Sequence, residues 1–139
     1  MRLSLHHVGL LVKKIPESAE FYIRMGYEIK SPLIHDPIQT AYVQFLKLPA
    51  NSSYLELVSP DRPDSRLNNA LQKGGGLNHV CYSTEDLEAC CRWLRDDMGM
   101  FPVAEPVSAV AFDGRRVAWF RGPDRLLVEV VERGPAGTL

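Results

Sequence analysis

Leu5-His6-His7-Val8-Gly9-Leu10, near the start of the chain, is echoed midway by Leu77-Asn78-His79-Val80-Cys81-Tyr82. Each copy is followed by a Met-Gly step, Met25-Gly26 and Met98-Gly99. An apolar run with one acid inside it comes next, Leu55-Glu56-Leu57-Val58 in the first copy and Val128-Glu129-Val130-Val131 in the second. His79 follows His7 by 72 residues, and both Gly99 after Gly26 and Glu129 after Glu56 by 73. Similarity at a constant offset marks an internal repeat. This repeat duplicates a His and a Glu, so the chain holds two imidazoles and two carboxylates at matched positions. Such a set supplies the ligands of one divalent ion.

Working outward, Leu3 to Val12 reads as a strand covered on both sides. Pro16 suits the first turn of a helix running to Met25, with Ala19, Tyr22 and Met25 on one side, and Gly26 ends it. Tyr27 to His35, Thr40 to Leu48 and Tyr54 to Val58 read as strands, with a turn at Pro49 to Ser52. A polar linker from Pro60 to Ser65 leads to a short helix, Arg66 to Lys73, and the Gly74-Gly75-Gly76 loop. The second copy has a strand from Leu77 to Ser83. Thr84, followed by Glu85 and Asp86, is the expected cap of a helix reaching Met98. Leu87, Cys91, Leu94 and Met98 stand at helical spacing along it. Phe101 to Phe112, Arg116 to Arg121 and Leu126 to Val131 read as strands, and Gly134 to Leu139 as a tail. Each copy is therefore strand, helix and three strands, the copies covering about residues 3–60 and 76–132 of a single domain, 1–139.

Composition narrows the possibilities. The 139 residues carry a net charge of -1 with both signs interspersed, unlike the basic surface that binds nucleic acid. Three cysteines, two of them adjacent, make no disulfide framework. No stretch approaches the ~20 apolar residues of a membrane span, and no signal peptide is apparent. These features fit a protein of the reducing cytoplasm.

The chemistry follows from strand alternation. His7 shares a face with Leu5, Gly9 and Leu11, leaving His6 on the other face in a structural role. Glu56 lies with Tyr54 and Val58, and Glu129 with Leu127 and Val131. A carboxylate in such apolar surroundings is costly unless a cation or hydrogen bonds compensate it. Imidazole with carboxylate and no thiolate suits Zn, Co, Ni, Mn or Fe. His35 has no counterpart in the repeat and reads as loop or cavity lining. Gln39, Gln44 and Trp119 are candidates to line a cavity. Lys73 beside the glycines is a candidate anion contact, and Arg115, Arg116 and Arg121 could hold a carboxylate or phosphate. The substrate-binding set expected here is Gln39, Lys73 and Arg116.

Together these strings resemble the vicinal oxygen chelate superfamily, in particular its glyoxalase and methylmalonyl-CoA epimerase group. The resemblance rests on residues 5–10, Phe21-Tyr22 with Met25-Gly26-Tyr27, Leu55-Glu56-Leu57-Val58-Ser59-Pro60, residues 76–82, and Pro123-Asp124-Arg125-Leu126-Leu127-Val128-Glu129. It covers about Leu3 to Glu132. It implies an α+β fold of two βαβββ repeats, forming a curved eight-stranded sheet around a metal-containing cavity. Carried across residue by residue, it implies His7, Glu56, His79 and Glu129 as ligands of one divalent ion (Zn, Co, Ni or Mn). Some epimerases have Gln in the place of Glu56. The ion would stabilise an enolate, and Glu129 would also serve as base.

The resemblance further implies a homodimer and a small substrate, such as a CoA thioester or another α-oxygenated acid. Epimerisation needs a base on each face of the α-carbon. The family's second base is a Glu just before the third strand, where this chain has Ile38 or Gln39. One-base isomerisation, lyase chemistry of the lactoylglutathione lyase kind, and epimerisation of another substrate stay open beside it. So do extradiol oxygenation on Fe(II) and a non-catalytic antibiotic-binding role, although the short chain and the fourth ligand, Glu56, weigh against the oxygenase and the intact ligand set against the binding role.

Overall fold

A computed structural model describes all 139 residues, Met1 to Leu139. The chain divides into two compact units. One comprises His7–Asn78, and the other His79–Leu139 with Met1–His6. Both boundaries fall inside strands, β1 (Ser4–Leu11) and β6 (Gly76–Thr84).

In the His7–Asn78 unit, β1 leads into α1 (Ile15–Arg24), followed by β2 (Glu28–Ile29), β3 (Ile34–Asp36), β4 (Ala41–Lys47), β5 (Tyr54–Pro60) and α2 (Asn68–Gln72). β1 runs parallel to β5, and β4 is antiparallel to β5, β2 and β3. The strand expected over Tyr27 to His35 is broken into β2 and β3. Pro32, which has no N–H for a ladder, lies in the gap. The helix expected over Arg66 to Lys73 is shorter, Asn68–Gln72.

α1 turns Ile15, Ala19 and Tyr22, at intervals of four and three, onto Leu46, Leu55 and Leu57. Its N-terminal Lys14 provides no side-chain cap, and Pro16 occupies the first turn. Met25 does not join the buried stripe; it is 60% exposed at the helix end. In the glycine loop, a Cβ on Gly75 would come 2.7 Å from the Leu11 carbonyl oxygen, and φ there is +65°. This close approach to β1 gives the glycine a packing reason.

The other unit runs from β6 through α3 (Leu87–Arg92), β7 (Phe101–Ser108), β8 (Arg116–Arg121) and β9 (Leu127–Glu132). β6 is parallel to β9, and β7, β8 and β9 follow as antiparallel neighbours. Leu87, Cys90, Leu94, Ala118, Phe120, Val128 and Val130 form the core, with Leu3 packed against it. Ser4 accepts a hydrogen bond from Arg133. The first residues thus join this unit rather than the copy that follows them in sequence.

The cap expected at Thr84 falls instead at Asp86, whose carboxylate accepts from the Ala89 N–H at 3.0 Å. Thr84 is the last residue of β6, and its hydroxyl accepts from the Asp86 N–H. The expected stripe also changes. Cys90 rather than Cys91 is fully buried, and a π-helical turn over Trp93–Asp97 leaves Met98 56% exposed. The wider turn adds a residue, so a spacing counted at 3.6 loses phase. Burial pushes the Cys90 thiol up to about 11. All three cysteines are free. β7 ends at Ser108, and Val110–Phe112 is a 3-10 turn rather than strand. No helix is long and apolar enough to cross a membrane.

Candidate metal centre

Each unit contains one buried His–Glu pair, built in the same way. In the first, β1 and β5 are parallel neighbours, with His7 opposite Tyr54 and Gly9 opposite Glu56. The period of two puts His7 and Glu56 on the same face, where Nε2 and Oε1 are 3.4 Å apart. In the second, β6 and β9 repeat this pairing, with Cys81 opposite Glu129. Here Nε2 of His79 and Oε1 of Glu129 are 3.5 Å apart. The four residues are 0%, 6%, 3% and 5% exposed in chain order, so bulk water hydrates none of them freely.

The antiparallel neighbour adds an aromatic ring to each pair. Phe45 of β4 lies opposite Glu56 and packs edge-on against His7, with ring centroids 5.3 Å apart. Trp119 of β8 lies opposite Glu129 and packs edge-on against His79 at 4.9 Å. Each unit therefore has a His, a Glu and an aromatic. Sequence reading missed Phe45 and left Trp119 unplaced. The signal was present, because the aromatic precedes its Glu by 11 and 10 residues. Aromatics are common enough in strands that the spacing stands out only once the register is known.

The donor set suits a divalent ion. A neutral N–H···O bond spans about 2.7–3.2 Å, and both pairs are wider. Two ligands about 2.1 Å from one tetrahedral ion stand about 3.4 Å apart, close to what each pair shows. Nitrogen with carboxylate oxygen, buried in apolar surroundings, is the combination expected of Zn, Co, Ni or Mn sites.

The other expected residues fall elsewhere. Arg116 lies on the α3 side of β8, alternating with Val117 and Trp119, and is held by Glu88 at 2.6 Å and Glu132 at 2.5 Å. Its hydrogen bond holds the exposed Glu88 carboxyl below the usual range. Arg116 therefore braces the helix against the sheet and points away from the His79–Glu129 face. Lys73 is exposed at the end of α2, where its N–H donates to the Asn69 carbonyl. Gln39 lies in the turn between β3 and β4, and its N–H donates to the Asp36 carboxylate at 3.2 Å.

Asp36, on β3, does share the His7–Glu56 face through its partner Ala41. Ala41 is four residues from Phe45 along β4, roughly 14 Å at strand rise. Asp36 therefore stands well apart from Glu56 along that face. His35 faces the opposite side, bonded to Asp61 at 2.8 Å and stacked near Tyr42.

Two units, each carrying a buried His–Glu pair, define the class of fold to which the comparisons point. Residues 6–119 match the model of the Glyoxalase/Bleomycin resistance protein/Dioxygenase superfamily, and the chain belongs to that family. It is 27% identical over 138 residues to the uncharacterized protein YwkD of Bacillus subtilis, covering 94% of this chain and 97% of that protein. It is 30% identical over 95 residues to the ethylmalonyl-CoA/methylmalonyl-CoA epimerase of Cereibacter sphaeroides, covering 66% and 69%. Among solved structures it resembles a variant of Streptomyces coelicolor methylmalonyl-CoA epimerase in complex with 2-nitronate-propionyl-CoA. That match has 26% identity and a TM-score of 0.80 over 94% of this chain and 97% of the other.

Proposed function

We propose that this protein is a divalent-metal-dependent isomerase or epimerase acting on a small acyl-CoA thioester, with His7, Glu56, His79 and Glu129 holding one ion between them. The observation that carries this reading is the buried His–Glu pair built twice, each at the spacing of two ligands on one centre. Similarity to CoA thioester epimerases supports the substrate class.

When bound, the ion would act as a Lewis acid, offsetting negative charge on the substrate oxygens as the α-proton leaves. The chain supplies the rest. Glu129 accepts the α-proton at a carboxylate oxygen. His7 and His79 hold position through their aromatic neighbours, and Phe45 and Trp119 keep water from the carboxylates. Low local polarity strengthens each of these interactions. A homodimer and a cytoplasmic location belong to the same reading.

The test is elemental mass spectrometry on protein purified without chelator or polyhistidine tag. One ion per chain, lost in His79→Ala, supports the four-residue centre; two ions per chain would instead make each pair a separate site. A metal-loaded sample that incorporates deuterium from D2O into methylmalonyl-CoA supports the reaction class. No metal after reloading with Zn, Co, Ni and Mn overturns the proposal in favour of a non-catalytic binding protein.

A further inference from the structure

Phe45 and Trp119 occupy equivalent places beside their His–Glu pairs but differ in one polar group. Trp119 Nε1 is buried and has no hydrogen-bond partner. A buried N–H without an acceptor forfeits its hydration and regains nothing. A phenyl ring would fill the space without that loss, as Phe45 does in the other unit. The indole is therefore unfavourable for packing alone, and it belongs to the residue paired with Glu129 across the strands, its ring packed edge-on against His79.

We infer that Trp119 Nε1–H donates a hydrogen bond to an oxygen of the bound ligand. This rests on the reading of His79 and Glu129 as part of an oxygen-chelating centre. Indole N–H is a donor only, so its partner must be an acceptor. A carboxylate or enolate-type oxygen fits best, because a charged acceptor strengthens the bond. Phe45 offers no such donor. Of two neighbouring ligand oxygens, the one on the Trp119 side is thus favoured to carry the negative charge. Trp119 is by this account a binding residue that fixes which way round the ligand lies.

The test uses 15N-labelled, zinc-loaded protein titrated with oxalate, a dianion that presents two neighbouring oxygens. The chain has two tryptophans, and Trp93→Phe identifies the Trp119 indole signal. Expected is a downfield shift of that signal on adding oxalate, with slower solvent exchange, while the Trp93 signal stays in place. Trp119→Phe is expected to bind oxalate about tenfold more weakly, as loss of one hydrogen bond to a charged group implies, while keeping its zinc. Oxalate that binds without moving the Trp119 signal overturns this inference and leaves the metal centre standing. A shift on zinc alone, with no further change on oxalate, also overturns it, because the N–H would then serve the protein's own groups. Oxalate that does not bind the zinc-loaded protein overturns this inference alone, whereas failure of zinc, cobalt, nickel and manganese alike to bind overturns both readings together. The titration of the unaltered side chain decides the matter even if Trp119→Phe does not fold.

Discussion

His7 is completely enclosed, with Phe45 across it and glycine opposite Glu56; His79 is 3% exposed, with Trp119 across it and Cys81 opposite Glu129. The helices differ in the same direction. α1 is a regular ten-residue helix, whereas α3 has six residues and runs on into a π-helical turn. The first unit sets Phe45 and Gly9 opposite Glu56, and the second sets the indole of Trp119 and the thiol of Cys81 opposite Glu129. The pair is present twice, but an indole N–H stands beside only one copy.

The largest expected effect separates the two carboxylates. Glu129→Gln removes the proposed base and should lower deuterium exchange into substrate by about 10²–10⁴-fold. Glu56→Gln keeps an oxygen ligand and should retain most exchange once saturated with metal. Equal losses in the two variants would mean that the halves share the proton transfer and that the asymmetry lies elsewhere.

Next comes the packing beneath each helix. Leu57, fully buried under α1, and Leu94, 5% exposed in the π-helical turn, are both core leucines. Leucine-to-alanine changes in cores cost about 2–5 kcal/mol. Leu57→Ala should fall near the top of that range, and Leu94→Ala near the bottom, because the looser turn can close over the cavity. Urea unfolding of both variants compares them directly, and a reversed order would refute the picture of a tighter first unit.

The smallest effect concerns helix starts. Asp86→Ala removes a real cap and should cost about 1 kcal/mol. Lys14→Ala, at the matching place on α1, should change stability very little, since Lys14 caps nothing with its side chain. A thermal melt of each variant measures the difference.

Much of the candidate site was legible in the chain. His7, Glu56, His79 and Glu129 repeat at nearly constant offset, and strand alternation alone put each of them on an apolar face. The Met-Gly steps marked both helix ends. Arg116 was harder to read, because its face depends on where α3 packs, and nothing in Arg115-Arg116 says which of the two meets Glu88. Asp86 displaced Thr84 as cap because β6 continues one residue further than alternation implied. The phase of the second helix was lost to a π-helical turn, which no periodic pattern announces.

The sequence by itself determined the duplication, the residue types of the candidate site and the order of elements, since these follow from residue type and local spacing. Tertiary structure decided which side chains stand across a strand from one another. Register set Phe45 opposite Glu56 and Trp119 opposite Glu129. It set His7 and His79 within 3.5 Å of their carboxylates. Such pairings join residues far apart in the chain, and slipping by one position would turn every side chain to the other face. Only the packed core, which rewards one register over its neighbours, could settle them.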